Sequence, residues 1–157
     1  RFFTVYGPYG RPDMSLFKFT EAISNNKAIE LYNNGNHIRD FTYIDDLIKI
    51  IHQLLYKKSK NKIPFEVYNL ASSSPKNLKD YISLIEKYLG KKAKIKNLKI
   101  QQGDVYKTHA STSKIKNIIK IKSKISLENG IRKFINWYKE YYESWGWSIR
   151  KKVWFRL

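Results

Sequence analysis

Arginine is scarce in this sequence, at positions 1, 11, 39, 132, 150 and 156, and two of these stand where their chemistry could be used. Arg39 comes just before a strand-to-helix change, where its planar guanidinium can hold two oxygens of an anion at once. The alternative is a surface arginine paired with Asp40 or Glu30. Arg11, in the loop after an apolar run, is either a second anion ligand or a solvated loop cation. Asp104 follows Gly103 and can accept two hydrogen bonds at once, or simply serve its turn. His37, His52 and His109 share no metal-ligand spacing and read as packing or surface histidines. Asp45 and Asp46 are adjacent at the start of a helical pattern, where carboxylates answer the helix dipole more often than they move protons. No catalytic residue and no metal site is assigned.

These groups must be positioned by a mixed set of elements. Arg1 to Tyr6 is a β-branched and aromatic run stopped by Gly7-Pro8, and it predicts a strand. Such an apolar strand wants partners on both sides, which implies that the sequence is a piece of something longer. After Pro12-Asp13, Leu16, Phe19, Thr20 and Ile23 predict a helix, and a short strand is expected at Ile29 to Tyr32, with a turn at residues 33–36. The spacing of Ile44, Leu47, Ile48, Ile51, Leu54 and Leu55 predicts an amphipathic helix with those residues buried. A strand follows at Phe65 to Leu70. Asn77, with Asp80 three residues on, marks a helix start, and Leu78, Tyr81, Ile82, Ile85 and Leu89 carry its stripe to Gly90, a natural stop. A further strand is expected at Ala93 to Leu98. The last helix begins after Ser126, with Leu127, Ile131, Phe134, Ile135 and Tyr138 on its buried side.

Composition narrows the classes of function. The chain has 157 residues, 42% of them hydrophobic, enough for one packed unit and too apolar for general disorder. Cysteine is absent, which removes disulfides and thiolate chemistry and fits a reducing, cytoplasmic setting. No apolar run reaches the roughly 18 residues that a membrane span needs. The formal charge is +18, so polyanions are obvious partners. Subtracting 6 arginines from 31 basic residues leaves 25 lysines, dispersed along the chain, which add solubility and general attraction more than base reading. A basic nucleic-acid binder stays open as an alternative, with no specific nucleic acid expected. Residues 145–157 are rich in Trp and basic residues and read as a separate tail, either an interfacial contact or a poorly packed end.

Three blocks then carry a resemblance: Arg1 to Pro8 with Gly10-Arg11-Pro12-Asp13-Met14, Arg39 to Asp46 as Arg-Asp-Phe-Thr-Tyr-Ile-Asp-Asp, and Tyr68-Asn69-Leu70. Gln101 to Val105 adds a fourth. In order and spacing they resemble the C-terminal half of the NAD-dependent epimerase/dehydratase family, the extended short-chain dehydrogenases, and look most like the UDP-glucuronate 4-epimerase branch. The resemblance implies an α/β fold for residues 1–144, made of the last Rossmann strand and a small mixed α/β substrate-binding domain. It implies a UDP-sugar as ligand and NAD as the cofactor of the intact enzyme, though not of this part alone. In such enzymes the sugar is oxidised to a 4-keto intermediate, turns while its UDP stays anchored, and is reduced on the other face.

The same resemblance assigns roles residue by residue. Arg39 matches the pyrophosphate arginine and Asp104 the ribose aspartate. Arg11 matches an arginine near the phosphates or sugar acid, and Thr4 a hydroxyl facing the sugar, with a buried, satisfied strand threonine as its alternative. Glu30 and Tyr32 lie on the strand whose backbone meets the uracil, or pack in the core. Tyr6, Gly7 and Pro8 would border the nicotinamide. The family's Gly-rich loop and its Tyr-x-x-x-Lys pair precede the first block and have no counterpart before Arg1. Tyr56 with Lys60 and Tyr88 with Lys92 fit the latter spacing, but 12 tyrosines at a lysine frequency of 25/157 predict about two such pairs by chance. Two departures are visible: Ala71-Ser72 where relatives have Gly-Asn, and Ser111 where an aspartate is usual. A separately encoded Rossmann half or a homodimer partner is compatible with this reading, as is a noncatalytic module that complements such a half.

Overall fold

The computed structural model describes residues 1–59, 62–120 and 124–143; the Trp-rich tail lies outside them. Its strands form three two-stranded ladders. β1 (Val5–Tyr6) runs parallel to β4 (Thr42–Tyr43), β2 (Ala28–Tyr32) parallel to β6 (Lys94–Leu98), and β3 (Ile38–Arg39) antiparallel to β5 (Lys76–Asn77). The helices are α1 (Ser15–Ser24), α2 (Ile44–Leu55), α3 (Leu78–Leu89), a short α4 (Ser113–Lys116) and α5 (Leu127–Tyr138), which runs into a π-helical turn at Lys139–Glu143.

The main core lies between α1, α3 and α5. Their apolar stripes meet there: Leu16, Phe17 and Ile23 from α1, Tyr81, Ile82 and Ile85 from α3, and Ile131, Phe134 and Ile135 from α5. Tyr6, Phe41 and Tyr43 close it from the β1–β4 side, with Phe41 stacked on Tyr81 at a centroid distance of 4.2 Å. A second cluster joins Leu47 and Ile50 of α2 to Leu70, Ile115 and Ile119. Helix ends follow their local chemistry. Ser126 caps α5 by accepting from the Asn129 amide at 3.2 Å, and Gly90 closes α3 at φ 69°, a left-handed geometry in which a Cβ is strained.

Four expectations need correction. The first strand is interrupted: Thr4 has φ 29°, so Phe2 bridges Leu70 while Val5 and Tyr6 pair with β4. The strand expected at Phe65 to Leu70 is reduced to that bridge, with Phe65 72% exposed, because its one backbone neighbour among the described residues is the segment at Arg1 to Phe3. On α2 the buried residues are Asp46, Leu47 and Ile50, while Ile48 and Leu55 are 54% and 75% exposed. The apolar stripe of this helix is wider than the surface that covers it. Asn77 makes no side-chain cap; α3 starts instead where the Leu78 amide donates to His37 O at 2.9 Å, so the β3–β5 ladder sets its origin.

The α3–α5 contact carries an acid-sensitive clasp. Lys87 and Tyr88 donate to Glu128 Oε1 at 2.6 and 2.9 Å. The Lys87 hydrogen bond, then that of Tyr88, lowers the Glu128 pKa from its ordinary 4.5. A lowered carboxylate pKa adds stability that is complete above the ordinary value and is lost as pH falls through the folded one. Thermal melts across that acid range should therefore show Glu128→Gln losing less stability on acidification than the parent, by a small amount because the group is exposed.

Candidate functional site

One cleft, with a volume of about 670 Å³, runs between α1, β2 and the turn into β3, and it is walled by Phe19, Leu31, Phe41 and Leu78. Thr4, Glu30, Tyr32, Arg39 and Asp104, five of the residues singled out from sequence, line it together. Asp13, Ser15, Lys18 and His37 add further polar groups.

Arg39 is held by three bonds. Its Nη1 donates to the carbonyls of Ile38 and Tyr106, each at 3.1 Å, and its Nη2 donates to Asp104 Oδ1 at 3.0 Å. A guanidinium has five N–H donors, so about two remain for a ligand. Asp104 is approached from its other side by His37, whose Nε2 stands 3.0 Å from Oδ2. That pair is close without hydrogen-bond alignment, and Nε2 stays buried and unsatisfied. The anticipated partners of Arg39, Asp40 and Glu30, are engaged elsewhere: Glu30 accepts from Lys96 at 3.1 Å.

Asp40 is fully buried. Its Oδ1 accepts from Ser72 Oγ at 2.8 Å and the Ser74 amide at 3.4 Å, and its Oδ2 accepts from the Ala110 amide at 3.4 Å. The carboxylate thereby ties two loops to the turn that carries Arg39. Ser72 is one of the departures from the resemblance, and its hydroxyl supplies the shortest of these bonds. Ser72→Ala should cost about 1–2 kcal/mol, read as a shifted denaturation midpoint at constant slope, because a buried acceptor loses its shortest bond.

The remaining assignments fall outside the cleft. Arg11 is 76% exposed and paired at 2.5 Å with Asp13, a cleft residue, and it holds the Asp13 carboxyl below its usual pKa. The Tyr6 ring turns into the core against Phe41, Tyr43 and Tyr81, since an apolar strand residue is most stable on the packed side. Gly7 has φ 147°, and a Cβ there would lie 3.2 Å from Ile44 Cβ, so close packing on α2 accounts for the glycine. Pro8 follows in the same loop. Burial, then the charges of Asp45 and Asp46, push Tyr43 up to about 12, and burial with Tyr43 and Asp46 raises Tyr6 further. Both phenols stay protonated near neutral pH and cannot act as bases there.

His37, Lys18 and Phe41 were missed as cleft residues. The signal for His37 was its position two before Arg39, at the entry to β3. Lys18 follows Ser15 by three residues, on the same face of α1.

The NAD dependent epimerase/dehydratase family model matches residues 1–71. A Staphylococcus aureus protein named CapI is 44% identical over 91% of this chain and 47% of its own length. The chain belongs to the NAD-dependent epimerase/dehydratase family. A probable UDP-glucuronate 4-epimerase of Rhizobium meliloti is 40% identical over 90% of the chain and 46% of its own length. The UDP-glucuronic acid 4-epimerase of Bacillus cereus, solved with UDP-glucuronic acid and NAD, superposes with a TM-score of 0.80 at 34% identity, over 89% of this chain and 44% of that one. This epimerase-family chain thus spans about half the length of the relatives it matches, and its mixed α/β fold is one part of the extended short-chain dehydrogenase architecture.

The described residues do not fit an NAD cradle. Such a cradle needs a glycine-rich turn into a helix whose first turn is free of negative charge. α2, α3 and α5 instead begin with Asp45 and Asp46, Asp80, and Glu128. α1 lacks an acid in its first turn, but Asp13 and Met14, not glycines, lead into it. Among the described residues no His, Asp or Glu cluster could hold a metal ion, and no helix is long and apolar enough to cross a membrane.

Proposed function

We propose that this chain is the UDP-sugar-binding part of an NAD-dependent nucleotide-sugar 4-epimerase acting on UDP-glucuronate and UDP-galacturonate. The observation that carries the reading is the convergence of Arg39 and Asp104, 65 residues apart in sequence, at 3.0 Å in one cleft. In it, the remaining donors of Arg39 bind the pyrophosphate, and Asp104 accepts from the ribose hydroxyls. The β2 backbone at Glu30 and Tyr32 faces the uracil. Thr4 and Arg11 face the sugar and its acid group.

Fixed donors at short range hold the diphosphate while the sugar is free to turn, which is the positioning share of catalysis. Proton and hydride transfer need groups that these residues do not supply, so the chain by itself is inactive. A dinucleotide-binding half, in the same polypeptide or a separate one, completes the site in a cytoplasmic enzyme. The exposed apolar residues Ile48 and Leu55 of α2 support such a partner.

Calorimetric titration with UDP tests the reading. Binding is expected in the parent and weakened in both Arg39→Ala and Asp104→Ala; equal affinity in all three would discard the site.

A further inference from the structure

We propose that His37 is the positioning residue for Asp104, and that the pair makes the cleft selective for a ribonucleotide over its 2′-deoxy counterpart. The inference rests on the reading of Asp104 as the ribose acceptor. Asp104 sits in a segment with little side-chain packing of its own. Gly103 before it has φ 84°, and Val105 and Tyr106 after it are exposed. Beyond the backbone bonds that join Tyr106 and Thr108 to Ile38, the segment is fastened to the cleft by Arg39, through the Tyr106 carbonyl and the Asp104 carboxylate, and by the approach of His37 to that carboxylate.

A carboxylate held at one oxygen can still rotate about that contact; a second contact fixes its plane. Arg39 engages Oδ1 and His37 stands at Oδ2, each at 3.0 Å. An ionised carboxylate has about four acceptor sites, so one on each oxygen is left, matched to two vicinal hydroxyls. His37 is suited to this role because its mount is rigid. Its carbonyl accepts from the Leu78 amide at 2.9 Å, and the next residue, Ile38, is bonded to the Tyr106 and Thr108 backbone. The residue is 3% exposed, and Nε2 has no hydrogen-bond partner. A buried polar atom without a bond is unfavourable, so Nε2 draws Oδ2 toward alignment, and a small turn of the carboxylate satisfies both. In this role the residue acts through Asp104.

The test compares affinities for UDP and 2′-deoxy-UDP on the full chain, by calorimetry. The parent should prefer UDP by about tenfold or more, the scale of one charge-assisted hydrogen bond. Asp104→Ala should bring the ratio to about one. His37→Met should lower the ratio severalfold by weakening UDP while 2′-deoxy-UDP changes little. His37→Gln, which can still donate to Oδ2, should restore most of the preference. If His37→Met does not fold, His37→Asn, polar but too short to reach, supplies the same comparison. A full preference kept in the Met or Asn variant, while Asp104→Ala levels it, overturns the role of His37 and spares the ribose reading. Equal loss for both ligands marks a merely structural histidine and also overturns it. No preference in the parent, or none lost in Asp104→Ala, removes the ribose reading and the inference with it.

Discussion

Arg39→Ala is expected to weaken UDP binding about a hundredfold, a loss of about 3 kcal/mol, within the range for truncating one partner of a buried charge pair. Two contributions add up to this. The ligand loses the two unspent guanidinium donors, and Asp104 loses the cation that neutralises it, so a carboxylate faces the incoming phosphates. The Tyr106 carbonyl is also released, which loosens the segment bearing Asp104. Arg39→Lys separates charge from geometry: an ammonium keeps the attraction but cannot reproduce a fork that bonds two carbonyls and a carboxylate together. It should recover less than half of the lost free energy. Thermal melting should fall by only a few degrees in either variant, since the guanidinium lies at the cleft and not in the core. An Arg39→Ala protein with parental UDP affinity would be incompatible with a pyrophosphate site here.

Tyr81→Ala is expected to cost about 3–5 kcal/mol, the usual range for deleting a fully buried aromatic ring. Tyr81 stacks on Phe41 and meets Tyr6 edge-on at 6.2 Å, so it joins α3 to the β1–β4 ladder. Against a typical domain stability of about 5–15 kcal/mol, that loss is a large fraction of the total. Phe41 also walls the ligand cleft, so the cavity opens behind a site wall and UDP affinity should drop in the protein that remains folded. Tyr81→Phe keeps the ring stack and should cost less than about 1.5 kcal/mol. Urea denaturation of the three proteins, with slopes compared, checks both figures. A Tyr81→Ala variant as stable as the parent would show that α3 is not anchored through this ring.

Much of the fold was legible in the sequence because local chemistry and packing agreed. α5 has its Ser126 cap, its stripe and its burial all in phase, and α3 has its stripe and the Gly90 stop. α2 shows where periodicity stops being informative. The pattern of Ile44 to Leu55 is helical, but whether Ile48 or Ile50 is covered depends on which neighbours reach the helix, and no local signal encodes that. The segment at Phe65 to Leu70 makes the same point for strands, since β-branched and aromatic residues state a preference that a ladder partner must fulfil.

The cleft divides along the same line. By itself the sequence determined which groups could grip a nucleotide: a fork-shaped cation at 39, a carboxylate at 104, and a hydroxyl at 4, on family motifs with recognisable spacing. Tertiary structure decided that Arg39 and Asp104 meet, that His37 stands behind Asp104, and that Tyr6 belongs to the core. Residue type sets what a side chain can bond, whereas direction and proximity come from contacts between segments far apart in the chain. Those contacts are settled by burial of the whole apolar surface, which no short stretch of sequence contains.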